Sequence, residues 1–206
     1  MPESSALRGS LFDWLPDGLR SVLKASPLGA TAKLKRLVIR SGMTLLLTGT
    51  VLAVMDLALR IQTHPSTRMS DFLRGDEQSG RVVKVWDDKG LLPLAFAHLG
   101  IDTFVLLPAY VIFGLALAIL LDRELALDSA SRLLQGVAWI TAASTLLLAL
   151  VDLAENASGA LYLLGMTSEA LIHFIGTAHG LKQIMAGVVL ASLGTLVACW
   201  YFKALD

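Results

Sequence analysis

Leu133 to Val151 is a run of nineteen residues without a formal charge, and it stops at Asp152-Leu153-Ala154-Glu155-Asn156. A helix needs about 20 apolar residues to cross the hydrocarbon core of a bilayer. Three other blocks have the same character. Leu37–Leu59 is broken only by Arg40 near its start and Asp56 near its end. Thr103–Leu121 lies between Asp102 and Asp122, and Gln183–Phe202 lies between Lys182 and Lys203. Lipid offers no water to backbone N–H and C=O groups, so a spanning segment satisfies them internally as a helix or in a closed barrel. Barrel strands alternate apolar and polar residues, and these blocks do not. The expected fold is therefore all-α: an integral membrane four-helix bundle with spans at about 37–60, 101–121, 133–153 and 182–203, and an external loop at about 61–97.

Composition supports this. The chain is 55% apolar, above the roughly 45–50% of soluble domains, and the excess is concentrated in the four blocks. Seventeen basic and seventeen acidic residues cancel, which leaves no basic face for nucleic acid. The bilayer itself is the expected partner, with a homo-oligomer or a larger membrane complex as further options. Cys199 is the single cysteine, so neither an internal disulfide nor dithiol redox chemistry is expected. The first 36 residues show no apolar core followed by a small-residue cleavage site. The first span is expected to act as an uncleaved anchor.

Lysine and arginine near span ends set orientation. Lys33, Lys35, Arg36 and Arg40 cluster before the first span, Arg123 and Arg132 lie between spans two and three, and Lys203 follows span four. The loop between spans three and four offers Lys182 against Asp152, Glu155 and Glu169. Both termini are thus expected in the cytoplasm of a cell bounded by a bacterial inner (plasma) membrane. The first loop carries Arg60, Arg68, Arg74, Arg81, Lys84 and Lys89, but they are spread among five acids. Residues 1–36 form a separate cytoplasmic segment. In it Leu11, Phe12, Leu15, Leu19, Val22 and Leu23 share one helical face beside Trp14. That spacing predicts an amphipathic helix on the membrane surface, with a loosely ordered tail as the alternative.

Within the first loop, Ser66–Leu73 is expected to form a short helix. Arg81–Trp86 sets Val82, Lys84 and Trp86 against Val83 and Val85. With the turn Asp87-Asp88-Lys89-Gly90, this predicts a strand of a small hairpin cap. The second helix is expected to begin near Pro93 and to kink at Pro108. Gly114 and Ala118, Gly187 and Ala191, and Gly194 and Ala198 stand four apart, a spacing that lets membrane helices approach closely.

Two short matches suggest a duplicated hairpin. Met55-Asp56-Leu57-Ala58 resembles Val151-Asp152-Leu153-Ala154, and Ala97-His98 resembles Ala178-His179. In either case the ionisable residues fall at one depth, near the outer membrane boundary. Helix one brings Asp56 and Arg60, helix two His98 and Asp102, helix three Asp152, Glu155 and Asn156, and helix four His179, Lys182 and Gln183. An Asp at mid-membrane costs roughly 3 kcal/mol, so such residues require partners, water or a function. The first reading is structural. Asp56 pairs with Arg60 and His98 with Asp102 at i, i+4, while Asp152 or Glu155 meets Lys182 across the bundle and Asn156 fills remaining hydrogen bonds. This describes a structural or accessory membrane component. The competing reading is a small transporter or channel subunit for protons or small cations. Its polar track would comprise Thr44, Thr48, Thr50, Thr141, Ser144, Thr145, Ser192 and Thr195. A third is a redox subunit in which His98 and His179, with Asp102 and Glu155, bind haem or a divalent metal. No spacing of recognised ligands identifies a cofactor or metal. His64 and His173 lie in or near loops. Acid–base chemistry on lipid is a fourth, though no nucleophile elbow, phosphate loop or zinc-protease motif marks an enzyme, and no catalytic residue is assigned.

Overall fold

The structure, a computed structural model, describes residues 27–63, 67–126 and 132–203. The N-terminal segment expected to be amphipathic, and His64, lie outside these residues. Helix α1 is Pro27–Gln62, α2 is Met69–Leu73, α3 is Glu77–Asp88 and α4 is Leu92–Ile101. A π-helical turn at Asp102–Leu106 joins α4 directly to α5, Leu107–Ala126. Helices α6, Arg132–Leu163, and α7, Glu169–Lys203, complete the chain. Among the described residues there is no strand. Four stretches are long and apolar enough to cross a membrane: Thr31–Gln62, Leu92–Arg123, Leu133–Leu163 and Glu169–Phe202. The protein is a multi-pass membrane protein with an all-α bundle.

Each of these stretches has 31 to 34 residues by its bounds, rising about 1.5 Å per residue, so each overshoots a hydrocarbon core of about 30 Å. The overshoot has one destination. At one end of the bundle Leu34 packs with Ala116 and Leu120, and Leu121 packs with Ala138 and Leu196. These contacts bring together the start of α1, the end of α5, the start of α6 and the end of α7. At the other end α2, α3 and α4 fold over the tips of the long helices. There Phe72, Trp86, Leu59, Leu99, Tyr162 and Ile175 share one core. Lipid-facing surfaces remain apolar, as at Leu46, Leu47, Leu150 and Leu190, because lipid makes no demand for polar cover.

The expected hairpin cap is a helix instead. Asp76 caps α3 by accepting from the Gln78 amide at 2.9 Å, and Ser79 Oγ accepts from the Asp76 amide at 3.2 Å. Ser79, Val82 and Trp86 then face inward at helical spacing. The alternation of valines with Arg81 and Lys84 is a by-product of a helix with one buried stripe. Trp86, fully buried, donates from Nε1 to Thr67 Oγ1 at 2.9 Å, and Thr67 passes the chain to Thr63 and the Leu59 carbonyl. The indole therefore has its polar partner inside the core.

The second span starts at Leu92, with Pro93 in its first turn where a missing N–H costs nothing. Pro108 does not break it. The turn before it widens to π geometry, with the Leu107 N–H reaching the Asp102 carbonyl. Proline lacks a donor and its ring crowds the preceding turn, and the wider turn relieves both. Gly114 and Ala118 do lie at a close contact: a Cβ on Gly114 would stand 2.9 Å from Thr145 Oγ1. The matching positions on α7 do not. Gly187 and Gly194 have open space where a Cβ would be, and they face outward.

The α2–α3 turn meets α7 backbone to backbone. Gly75 has φ of 65°, and a Cβ there would fall 2.2 Å from the Gly176 nitrogen. Gly90 has a similar φ of 67° but nothing within 4 Å. Gly90→Ala is expected to cost only backbone strain, of order 1–3 kcal/mol. Gly75→Ala adds a backbone collision and should lower the detergent melting temperature clearly more. Equal shifts for the two variants would show that the α2–α3 turn does not seat on α7.

Candidate functional site

Beneath the cap, carboxylates of the π turn and of α6 converge on one ammonium group of α7. Lys182 Nζ lies 2.5 Å from Asp152 Oδ1, 3.0 Å from Glu155 Oε2 and 3.6 Å from Asp102 Oδ2. Asp152 and Glu155 stand three apart on α6 and share its inner face, with 1% and 0% exposure. Asp102, 7% exposed, opens the π turn. Asn156 links the carboxylates: its Nδ2 donates to Asp102 Oδ2 at 3.0 Å and approaches Asp152 Oδ1 at 3.5 Å. His179 stands three residues before Lys182 on α7, and its Nδ1 is 2.6 Å from Glu155 Oε1. Gln183 Nε2 lies 3.1 Å from His179 Nε2.

Tyr110 was not anticipated. Its hydroxyl donates to Asp152 Oδ2 at 3.1 Å, while its ring packs beside Leu148, Val189 and Leu193. The signal for it lay in the span itself, since a phenol surrounded by apolar residues needs a partner for its O–H.

The belt is not uniform. Asp152, Glu155, Asn156, His179, Lys182, Gln183 and Asp102 form one connected network. Asp56 and Arg60 do not join each other: Asp56 Oδ1 accepts from the Met69 amide at 2.8 Å, and Arg60 is exposed. The Asp56 carboxylate is thus spent on an exposed amide at the first turn of α2, where an acid is electrostatically favoured. His98 does not pair with Asp102 either. Asp102 turns to Asn156 and Lys182, while His98 Nδ1 is buried without a hydrogen-bond partner. The residues matched in the proposed duplication therefore have different surroundings: Asp56 anchors the cap where Asp152 meets Lys182, and His98 is unpartnered where His179 holds Glu155. His173 is exposed on the first turns of α7.

Of the hydroxyls in the suggested track, Thr141 and Thr145 are fully buried on the face of α6 that carries Asp152. Both donate to carbonyls one turn back, Thr141 to Val137 and Thr145 to Thr141. Thr44, Thr50 and Thr195 bond likewise on exposed faces. Among the described residues, no group of three or more His, Cys, Asp and Glu side chains is arranged to hold a metal ion. No family model, no curated protein and no solved structure matches this chain.

Removing Lys182 would leave three carboxylates buried around an empty centre. Breaking a buried ion pair typically costs about 3–5 kcal/mol, so Lys182→Ala should destabilise the bundle by this order. Adding Asp152→Asn to that variant is expected to recover part of the loss. Additive losses in a double-mutant cycle, read as thermal unfolding in detergent, would contradict a direct coupling.

Proposed function

We propose that this chain is a structural or accessory component of a bacterial inner membrane, with both termini cytoplasmic and the helical cap outside. One observation carries the reading: a single ammonium on α7 reaches three carboxylates on the other two helical segments of the network. Asn156 and Tyr110 are also directed at these carboxylates from α6 and α5. Interhelical contacts of this kind fix register and crossing geometry without needing a substrate. The cap, with its own apolar core around Trp86, gives such a component a folded surface beyond the bilayer.

A second reading, a small subunit moving protons or small cations, draws on a specific feature. With both imidazoles neutral, three carboxylates and one ammonium leave the network at a net charge of −2 (1 − 3). Thr141 and Thr145 extend polarity along the same face of α6. A haem or metal role has less support, because both ring nitrogens of His179 are already in hydrogen bonds.

Glu155→Gln separates the first two. A register-fixing network is expected to lose melting temperature when this charge is removed, and proteoliposomes should show no proton or sodium flux in either form. An unchanged melting temperature with flux present in the wild type and lost in the variant would establish transport instead. Orientation is tested independently. A reporter fused after residue 206 should be active only if it folds in the cytoplasm, and activity of a reporter that works only outside would reverse the topology.

A further inference from the structure

Three observations meet at the junction of α6 and α7. The first concerns His179. Its Nδ1 lies 2.6 Å from Glu155 Oε1 and its Nε2 3.1 Å from Gln183 Nε2. A primary amide nitrogen only donates, so with the Gln183 amide in this orientation the matching tautomer accepts at Nε2 and donates from Nδ1 to Glu155. The His179 side chain is 21% exposed and that of Glu155 is 0% exposed. One imidazole therefore connects the surface to a carboxylate that has no solvent contact.

The second is the set of three buried carboxylates around one ammonium, which carries −2 when all three are ionised and both imidazoles are neutral. Charges at this burial are costly unless compensated. The groups able to take up compensating protons are the three carboxylates, His179 and His98. Tyr110 also faces the network from α5. The third is Asn156, only 2% exposed. Its nitrogen faces Asp102 and Asp152, yet its Oδ1 accepts from no group. An unpartnered acceptor beside carboxylates lacks one donor.

We propose that this network is a proton-binding site loaded through His179. The step balances as follows. Gln183 rotates its amide to present Oε1, and hydronium gives up one O–H bond and leaves as water while an N–H bond forms at His179 Nε2. The Nδ1–H bond breaks and an O–H bond forms at Glu155 Oε1. The ring ends neutral as the other tautomer, and the network moves from −2 to −1. A second proton, on another carboxyl or on His98, brings it to zero. Equilibrium binding of this kind needs no flux and stands apart from both readings above.

Infrared difference spectroscopy of the purified full chain, between about pH 8 and about pH 5, tests it; imidazoles titrate in this range whereas exposed carboxyls titrate mostly below it. A protonated-carboxyl C=O band is expected to grow in the wild type and to be absent or reduced in Glu155→Gln. Asp152→Asn provides a second shape-conserving variant if Glu155→Gln does not fold. A wild type without the band, or a band that neither variant changes, overturns the site. In His179→Gln the deuterium shift of the band after transfer to heavy water should slow by about a hundredfold, the scale of a lost acid–base relay. Exchange at the wild-type rate in that variant overturns the role of His179.

Discussion

The ammonium of Lys182 is the point on which the polar interior depends. Three carboxylates drawn from two separate stretches of chain lie within 3.6 Å of it, and each would repel the others without it. In lipid the attraction is strong because the dielectric is low, and for the same reason an unpaired member is costly. The partners around it follow from that. Asn156 and Tyr110 donate to carboxylate oxygens, and His179 holds Glu155 Oε1. The network is a charged core in a bundle that also packs through apolar clusters farther from the cap.

Its position reflects where the spans change character. The charge-free runs occupy the middle of each long helix, between charged residues at the end away from the cap and the polar layer on the cap side. Above them, Phe72, Trp86 and Tyr162 form a core of the kind found in water-soluble domains, with capped helices and paired polar atoms. Two packing regimes thus follow each other along the same long helices, and the ionic layer lies at their junction. The π turn belongs to that junction too. It places Asp102 at the network and accommodates Pro108 within one continuous span.

The fold was largely legible in the sequence, because long charge-free runs have few other solutions. The pairing of Lys182 with Asp152 and Glu155, and the supporting place of Asn156, were also legible, since spacings of three and four put them on single faces at matching depth. Arg81–Trp86 was not. Over six residues, alternating valines fit a strand as well as a helix, and only the capping by Asp76 and the inward set Ser79, Val82 and Trp86 decide between them. The i, i+4 pairs at Asp56 and His98 failed for another reason. Local spacing makes a pair possible, but the Met69 amide is a partner from a distant part of the chain. Tyr110 depended on the same kind of long-range contact. The small residues of α7 show the converse: spacing identified a surface able to pack closely, and nothing among the described residues fills it at Gly187 or Gly194.

The ionic layer also imposes an order on how the molecule is made. Lys182 lies 80 positions after Asp102 (182 − 102) and 30 after Asp152 (182 − 152). A ribosome at roughly 5–20 residues per second delivers the acids seconds before their counter-charge. During that interval α6 carries Asp152 and Glu155 with no ammonium to meet them. Those segments must wait protonated, or near water at the insertion machinery, until α7 emerges. The last long helix is therefore the one that commits the earlier acids to their final depth, and a chain stalled before it would hold a bundle with its anions exposed to lipid.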